Sequence, residues 1–280
     1  MNIIGTTALV AHIGFPTDGF VSPLIYNPYF EQAGIDAAVV PMGCRAGDFP
    51  AFLRAVFTLT NIRGALITMP HKVTAAGLVD QPSEAVRIAG ACNAVRRGPD
   101  GWLQGDLFDG EGFVRALESK GWQAEGKRAL VVGAGGVGSA IAASLAWAGA
   151  ASIALADTQP AAVVAIAERL ARHFPSLDLR TDDADPRGRD LVVNATPLGT
   201  REGDPLPIDV SRLTPGTMVG DAVMTSGTTP LIAAARARRC PVQPGVDMLF
   251  EQIPLYLAYF GFPTATPDEL RRVARLDRAV

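Results

Sequence analysis

From Ala129 to Ala156 the sequence carries no charged residue, and Gly133-Ala134-Gly135-Gly136-Val137-Gly138 stands inside this run. So long an apolar stretch has two physical destinations. It can cross a bilayer as one helix, or it can fold as buried strand, turn, helix and second strand. The glycines decide for the second, because between two β-rich runs they make the tight turn of a strand-to-helix junction. Their G-x-G-x-x-G spacing lets a pyrophosphate approach backbone N–H groups, and the N-terminus of the following helix adds partial positive charge. Asp157 ends the next expected strand roughly 20 residues on, where this fingerprint places a carboxylate for ribose hydroxyls. Gly133, Gly135, Gly136, Gly138 and Asp157 are therefore expected to bind a dinucleotide. A carboxylate repels a 2′-phosphate, and Asp157-Thr158-Gln159-Pro160-Ala161-Ala162 brings no basic residue, so NAD is expected over NADP. The other role open to Asp157 is N-cap of the next helix.

The same alternation of strand and helix runs through the rest of the chain. Ala8–Ala11, Ala37–Val40, Ala65–Thr68 and Cys92–Val95 read as strands, and Ser22 before Pro23 reads as the cap of a helix over Leu24–Gln32. Asp48 is expected to cap a helix with Phe49, Phe52, Leu53, Val56 and Phe57 on one face. A second series of strands follows at Ala129–Val132, Ser152–Ala156, Leu191–Asn194 and Met218–Asp221. Two helices without an intervening strand, Met248–Phe260 and Pro267–Leu276, close the chain. This order predicts an α/β protein of parallel layers. Its first domain covers residues 1–110 and is completed by terminal helices over 246–280; a dinucleotide-binding domain covers 111–245.

Composition excludes several classes of function. With 48% hydrophobic and 19% charged residues, the chain is neither disordered nor short of a core. A net charge of −3 leaves no basic excess for nucleic acid. Cys44, Cys92 and Cys240 are odd in number, far apart and outside any metal-ligand spacing, so no metal is expected and a reducing cytoplasm suits them. Met1-Asn2-Ile3-Ile4-Gly5 lacks the basic and apolar regions of a secretory leader. A small-molecule substrate is the expected partner, without nucleic acid or membrane, and a homodimer is among the states the sequence allows.

Around the glycine turn lies an ordered set of segments. They are Gly14-Phe15-Pro16 with Ser22-Pro23-Leu24-Ile25-Tyr26-Asn27, then Thr68-Met69-Pro70-His71-Lys72, Gly90-Ala91-Cys92-Asn93 and Gly105-Asp106-Leu107-Phe108-Asp109-Gly110. After the turn come Asn194-Ala195-Thr196-Pro197-Leu198-Gly199, Asp221 with Thr229-Pro230-Leu231, and Gly245-Val246-Asp247-Met248-Leu249-Phe250-Glu251-Gln252. In content and order, over nearly the full length, this set resembles the shikimate dehydrogenase family. The resemblance implies an N-terminal α/β substrate domain, a Rossmann-type NAD-binding domain and C-terminal helices that return to the first domain. It implies catalytic roles for Lys72 and Asp109 and substrate contacts from Ser22, Thr68, Asn93 and Gln252. Asn194 and Thr196 match the turn alongside the cofactor, and Met248 a residue near the nicotinamide.

The chemistry of the pair is sound on its own terms. Hydride transfer at a ring carbon puts alkoxide character on the oxygen and obliges a proton to move; an ammonium there stabilises the charge and can donate the proton. Asp109 would orient the lysine and a substrate hydroxyl. His71 reads as a loop residue, and His12 and His173 show no ligand pattern. The expected activity is hydride transfer between NAD and a ring hydroxyl of shikimate, quinate or a related cyclic polyol. A dinucleotide-responsive regulator and an aminoshikimate-type dehydrogenase are the alternatives, the regulator being disfavoured by a proton-transfer pair it has no need of. Some positions depart from the family pattern. Phe20 replaces a serine, Leu66 an asparagine, Leu107-Phe108 an Asn-Thr pair and Met224 a tyrosine, so the carboxylate end of the pocket is expected to be rebuilt in apolar residues.

Overall fold

The computed structural model describes residues 2–181, 184–224 and 227–276. It divides into one unit of Met1–Arg87, Ala91–Phe108 and Ile253–Val280, and another of Ile88–Gly90 and Asp109–Gln252. The first unit is built from β1 (Ala8–Gly14), α1 (Pro23–Ala33), β2 (Ala37–Gly43), α2 (Phe49–Val56), β3 (Ile62–Ile67) and α3 (Lys72–Ala76). Next come β4 (Gln81–Pro82), α4 (Glu84–Ala89), β5 (Ala94–Arg97) and β6 (Leu103–Asp106). Its sheet runs β2-β1-β3-β5-β6-β4. Strands β1, β2 and β3 are parallel and buried through Val10, Ile13, Val39 and Ile67, as expected of apolar runs covered on both faces.

One expectation is corrected here. The layer is mixed, since β5 lies antiparallel to both β3 and β6. The cause is local: only Gly98–Trp102 separates β5 from β6, and so short a link returns the chain as a hairpin instead of carrying it over a crossover helix. The caps differ as well. Ser22 and Asp48 stand at the N-cap positions of α1 and α2 in helical backbone, and neither side chain makes a capping bond. Proline in the first turn fixes both helix starts instead.

The second unit follows with α5 (Asp109–Glu118), β7 (Arg128–Val132), α6 (Gly136–Trp147), β8 (Ser152–Ala156), α7 (Pro160–His173), β9 (Asp178–Arg180) and β10 (Leu191–Asn194). It continues through β11 (Met218–Asp221), α8 (Pro230–Ala237) and β12 (Val242–Gln243). All its pairings are parallel, in the order β12-β11-β10-β7-β8-β9. The charge-free run is thus strand, turn, helix and strand. Among the described residues no helix is long and apolar enough to cross a membrane. One face of the sheet packs Val131, Ile153 and Val193 against Phe113, Ile141 and Ile166; the other packs Leu130, Ala154 and Val192 against Leu231 and Ala235.

Helix α9 (Gly245–Tyr259) begins in the second unit and ends in the first, with the division at Gln252/Ile253. Residues 246–252, expected with the terminal helices of the first domain, therefore fall in the second unit, where Met248 joins the core of Phe113 and Ile141. The final helix α10 (Pro267–Val273) returns to α1: Arg275 N donates to Leu24 O at 2.9 Å, and Tyr29 Oη donates to Pro263 O at 2.9 Å.

A buried carboxylate ties the second unit together. Asp221, at the end of β11, accepts from Asn194 Nδ2 (3.0 Å), Thr229 Oγ1 (2.6 Å) and Val223 N (3.0 Å), so β10, β11 and the start of α8 meet at one side chain. Burial pushes its carboxyl above the ordinary range, and the three donors offset that cost. Asp221→Ala removes the acceptor and strands those donors. Unfolding by urea should register a loss of about 2–4 kcal/mol for this unit, with Asp221→Asn retaining part of it; no loss in either variant would refute the role of the network.

Candidate active site

In the second sheet the chain winds outward from β7 through β8 to β9, and from β10 through β11 to β12 in the opposite direction. The neighbouring carboxyl ends of β7 and β10 are the switch point, where open α/β sheets take their ligands. Gly133 leaves β7 at φ +106°, a conformation side chains rarely adopt, and a Cβ there would stand 2.7 Å from the Ala195 carbonyl oxygen. A Cβ at Gly138 would collide with the Gly133 carbonyl. Gly135 differs: a Cβ would meet nothing within 4 Å. It is the N-cap of α6, and no side chain caps that helix. Gly136 begins the helix itself. Free N–H groups with open space before them fit the phosphates of a dinucleotide.

Asp157 is drawn to the same loop. Its Oδ2 accepts from Ala134 N at 2.6 Å and its Oδ1 from Gln159 N at 2.9 Å. The N-cap of α7 is Gln159, so Asp157 shapes the turn ahead of that helix instead of capping it. Asn194 is fully engaged within the protein. Its Oδ1 accepts from Thr196 N (3.1 Å) and Thr196 Oγ1 (2.7 Å), and its Nδ2 donates to Leu198 O and Asp221. What Asn194 and Thr196 offer a ligand is the shape of their turn. Met248 is buried in the core, and Gln252 is buried with its Oε1 lacking any hydrogen-bond partner. Asp109 is buried in the first turn of α5.

In the first unit, Lys72 opens α3 just beyond the end of β3. Thr68 N donates to Ile13 O (2.9 Å), and His71 N turns back to Thr68 O (2.9 Å). The His71 ring lies flat on Phe49, with centroids 4.1 Å apart, and its Nε2 pairs with Cys44 O at 2.8 Å. His71 is thus the buried anchor of the lysine's turn. From the other side, Cys92 N donates to Lys72 O (2.8 Å). The next residue, Asn93, accepts from Phe108 N with its Oδ1 (3.0 Å), so the segment leading into Asp109 is fixed from β5. Asn93 Nδ2 is buried without a partner. Buried polar atoms without a partner are uncommon, and the Asn93 Nδ2 donor and the Gln252 Oε1 acceptor can each hydrogen-bond a polar ligand. Ser22 and Thr68 are half-buried.

The four apolar departures have different fates. Phe20 lies near the candidate residue Thr68: its Cζ is 2.7 Å from where a Gly14 Cβ would stand, and the Thr68 methyl is nearer still to that point. Leu66 is buried on β3, opposite His12 in the ladder. Phe108 is buried edge-on against Tyr256 and Tyr259 of α9, at 5.0 and 5.5 Å between centroids. Met224 is exposed, in the second unit. The residue that sequence reasoning passed over is His12. Its ring stacks on Phe20 at 4.1 Å, and its Nδ1 is buried with no hydrogen-bond partner. The available signal was a single polar ring inside the apolar strand Ala8–Ile13.

Comparison with known proteins bears on this arrangement. Residues 13–95 match the model of the shikimate dehydrogenase substrate binding domain. A shikimate dehydrogenase (NADP(+)) of Rubrobacter xylanophilus is 39% identical over 257 residues, covering 89% of each chain. The structure of shikimate 5-dehydrogenase from Listeria monocytogenes, in complex with shikimate and NAD, superposes with a TM-score of 0.86 at 25% identity over 98% of each chain. Quinate dehydrogenase from Corynebacterium glutamicum, in complex with NAD, gives 0.84 at 28% identity over 95% of this chain and 98% of its own.

Burial, with the Lys72 charge acting in the same direction, lowers the His12 pKa from 6.5 to about 3. The unfolded chain takes up a proton near pH 6.5 that the folded chain refuses. The contribution of His12 to stability is therefore complete above that pH and is lost as pH falls toward about 3. Urea unfolding between these limits should show a slope of about 1.4 kcal/mol per pH unit that His12→Val abolishes. An unchanged slope in the variant would contradict the assignment.

Proposed function

The chain belongs to the shikimate dehydrogenase family, and on that premise we propose that it passes a hydride between NAD and a ring hydroxyl of shikimate, quinate or a related cyclic polyol. It is an oxidoreductase of CH–OH groups that works with a pyridine nucleotide. The observation that carries the reading is the glycine turn at the switch point, closed by Gly133 and Gly138 and open before an uncapped helix. The three buried free cysteines support a reducing, cytoplasmic setting.

A bound nicotinamide supplies the acceptor for the hydride. The work of the chain is the proton and the orientation of the ring. As the carbinol C–H bond gives up its electron pair with the hydride, the O–H bond releases its proton, and the carbinol carbon becomes a ketone. Lys72 meets that oxygen, receives the proton in oxidation and returns it in reduction. Its ammonium also holds the charge that gathers on the oxygen as the carbonyl is reduced. Asp109, as a carboxylate, accepts from a ring hydroxyl. Ser22, Thr68, Asn93 and Gln252 hold the remaining ring substituents, the last two through the unsatisfied atoms described above. The backbone bonds of His71 and Cys92 keep the lysine's turn in place, so little reorganisation falls on the reaction itself.

Lys72→Ala and Asp109→Asn should each lower kcat by about 10²–10⁴-fold, with the Kd for NADH unchanged by fluorescence titration. Near-normal turnover in either variant would remove that residue from the chemistry.

The curated relatives carry NADP(+) in their names, which makes cofactor choice a sharp test. Two features support NAD: the Asp157 carboxylate beside the loop and the uncharged sequence after it. NAD should bind more tightly than NADP, and Asp157→Ala should narrow the gap by about tenfold or more. Equal or tighter NADPH binding to the unaltered protein would overturn the preference.

A further inference from the structure

His12, Phe20, Leu66, Thr68 and Lys72 form one cluster in the first unit. His12 and Leu66 are partners across the β1–β3 ladder, where parallel strands direct paired side chains to the same face. Phe20 stacks on His12 and reaches the position beside Gly14 and the Thr68 methyl. Burial first, and then the positive charge of Lys72, lower the pKa of His12. The reaction reading uses Thr68 and Lys72 and leaves His12 and Phe20 without a task.

A buried imidazole with no partner on one nitrogen is costly unless something makes use of it. Among the described residues nothing satisfies Nδ1, although β1 alternatives such as Val or Ile would fill the strand at no polar cost. We propose that His12 and Phe20 are the specificity wall of the substrate site, selecting an uncharged ring polyol whose hydroxyl hydrogen-bonds His12, and turning away a ring carboxylate. The proposal rests on the dehydrogenase reading above and narrows its substrate. A hydroxyl both donates and accepts, so either tautomer of a neutral imidazole suits it. A carboxylate instead needs several donors or a counter-charge, and loses its water against the Phe20 ring. His12 cannot provide the charge, because burial and Lys72 hold it neutral. Lys72 is itself committed to the reacting oxygen.

Two measurements on the intact protein test this. The first is binding without chemistry. With NADH present, the C2-proton resonance of His12, one of three histidines and assigned by its loss in His12→Val, is followed while a neutral cyclohexanetriol, shikimate or quinate is added. The triol should shift it at lower concentration than either acid. Tighter binding of the acids, or no response of His12 to any of them, overturns the proposal. The second is kcat/KM with NAD on the same three compounds. His12→Val should lower the triol value about tenfold and leave shikimate within about threefold, the scale of one hydrogen bond. Phe20→Ser should raise the shikimate value about tenfold. A far-UV circular dichroism spectrum matching that of the unaltered protein shows that each variant is folded. Efficient oxidation of shikimate by the unaltered protein, at about 10⁴–10⁸ M⁻¹s⁻¹, with neither substitution altering the ratio, overturns the specificity wall and leaves the dehydrogenase reading standing. Turnover of none of the compounds, with His12 still responding to the triol, would do the reverse.

Discussion

At the carboxyl ends of β7 and β10 two stretches of backbone lie closer than any side chain tolerates. Gly133 at φ +106° faces the Ala195 carbonyl, and Gly138 lies under the carbonyl of Gly133. Because these atoms touch, α6 starts immediately beyond the strand, with no side-chain cap on its first N–H groups. The same contact brings β8 into use, since Asp157 reaches the loop through the N–H of Ala134. On the β10 side, Asn194 uses all its hydrogen-bonding capacity to hold the turn that Gly133 packs against, and Asp221 holds Asn194. The junction of β7 and β10 is thus one backbone approach with a polar network built beneath it.

The amino-acid sequence makes this part legible because the cause is local. A glycine that must be glycine leaves a mark, and so does a strand buried on both faces; Ser152–Ala156, Leu191–Asn194 and Met218–Asp221 are read to the residue. The first unit is less legible, because its determinants are not neighbours in sequence. Whether β5 runs parallel or antiparallel depends on how short the link to β6 is, and an apolar run such as Cys92–Val95 has no direction of its own. Ser22 and Asp48 have the residue types of N-caps, yet the proline of the first turn is enough to start each helix. His71, an ordinary loop residue by its neighbours, is an anchor only because Phe49 and Cys44 meet it in space.

His12 shows the same limit at the candidate site. The departures at Phe20, Leu66, Phe108 and Met224 look alike when compared with a family pattern. In space they separate into a ring beside Gly14 and Thr68, a strand residue opposite His12, a residue set edge-on to two tyrosines and an exposed side chain in the other unit. Pattern comparison tells that a polar group is gone. It does not tell what has arrived, and here the arrival is an aromatic ring with a buried imidazole behind it.

The way Lys72 is held has a consequence for how such a protein diversifies. Its turn is fastened by main-chain bonds from Cys92 and by the His71 anchor, and Asn93 fastens the main chain at Phe108. His12 and Phe20 belong to none of these bonds; they are attached to the neighbouring strand and its loop. Residue changes at His12 and Phe20 therefore leave the hydrogen bonds that hold the Lys72 turn undisturbed. Such a division lets mutation explore new substrates one side chain at a time, with the inherited chemistry carried along intact, and it marks β1 and its following loop as the place where an engineer would begin.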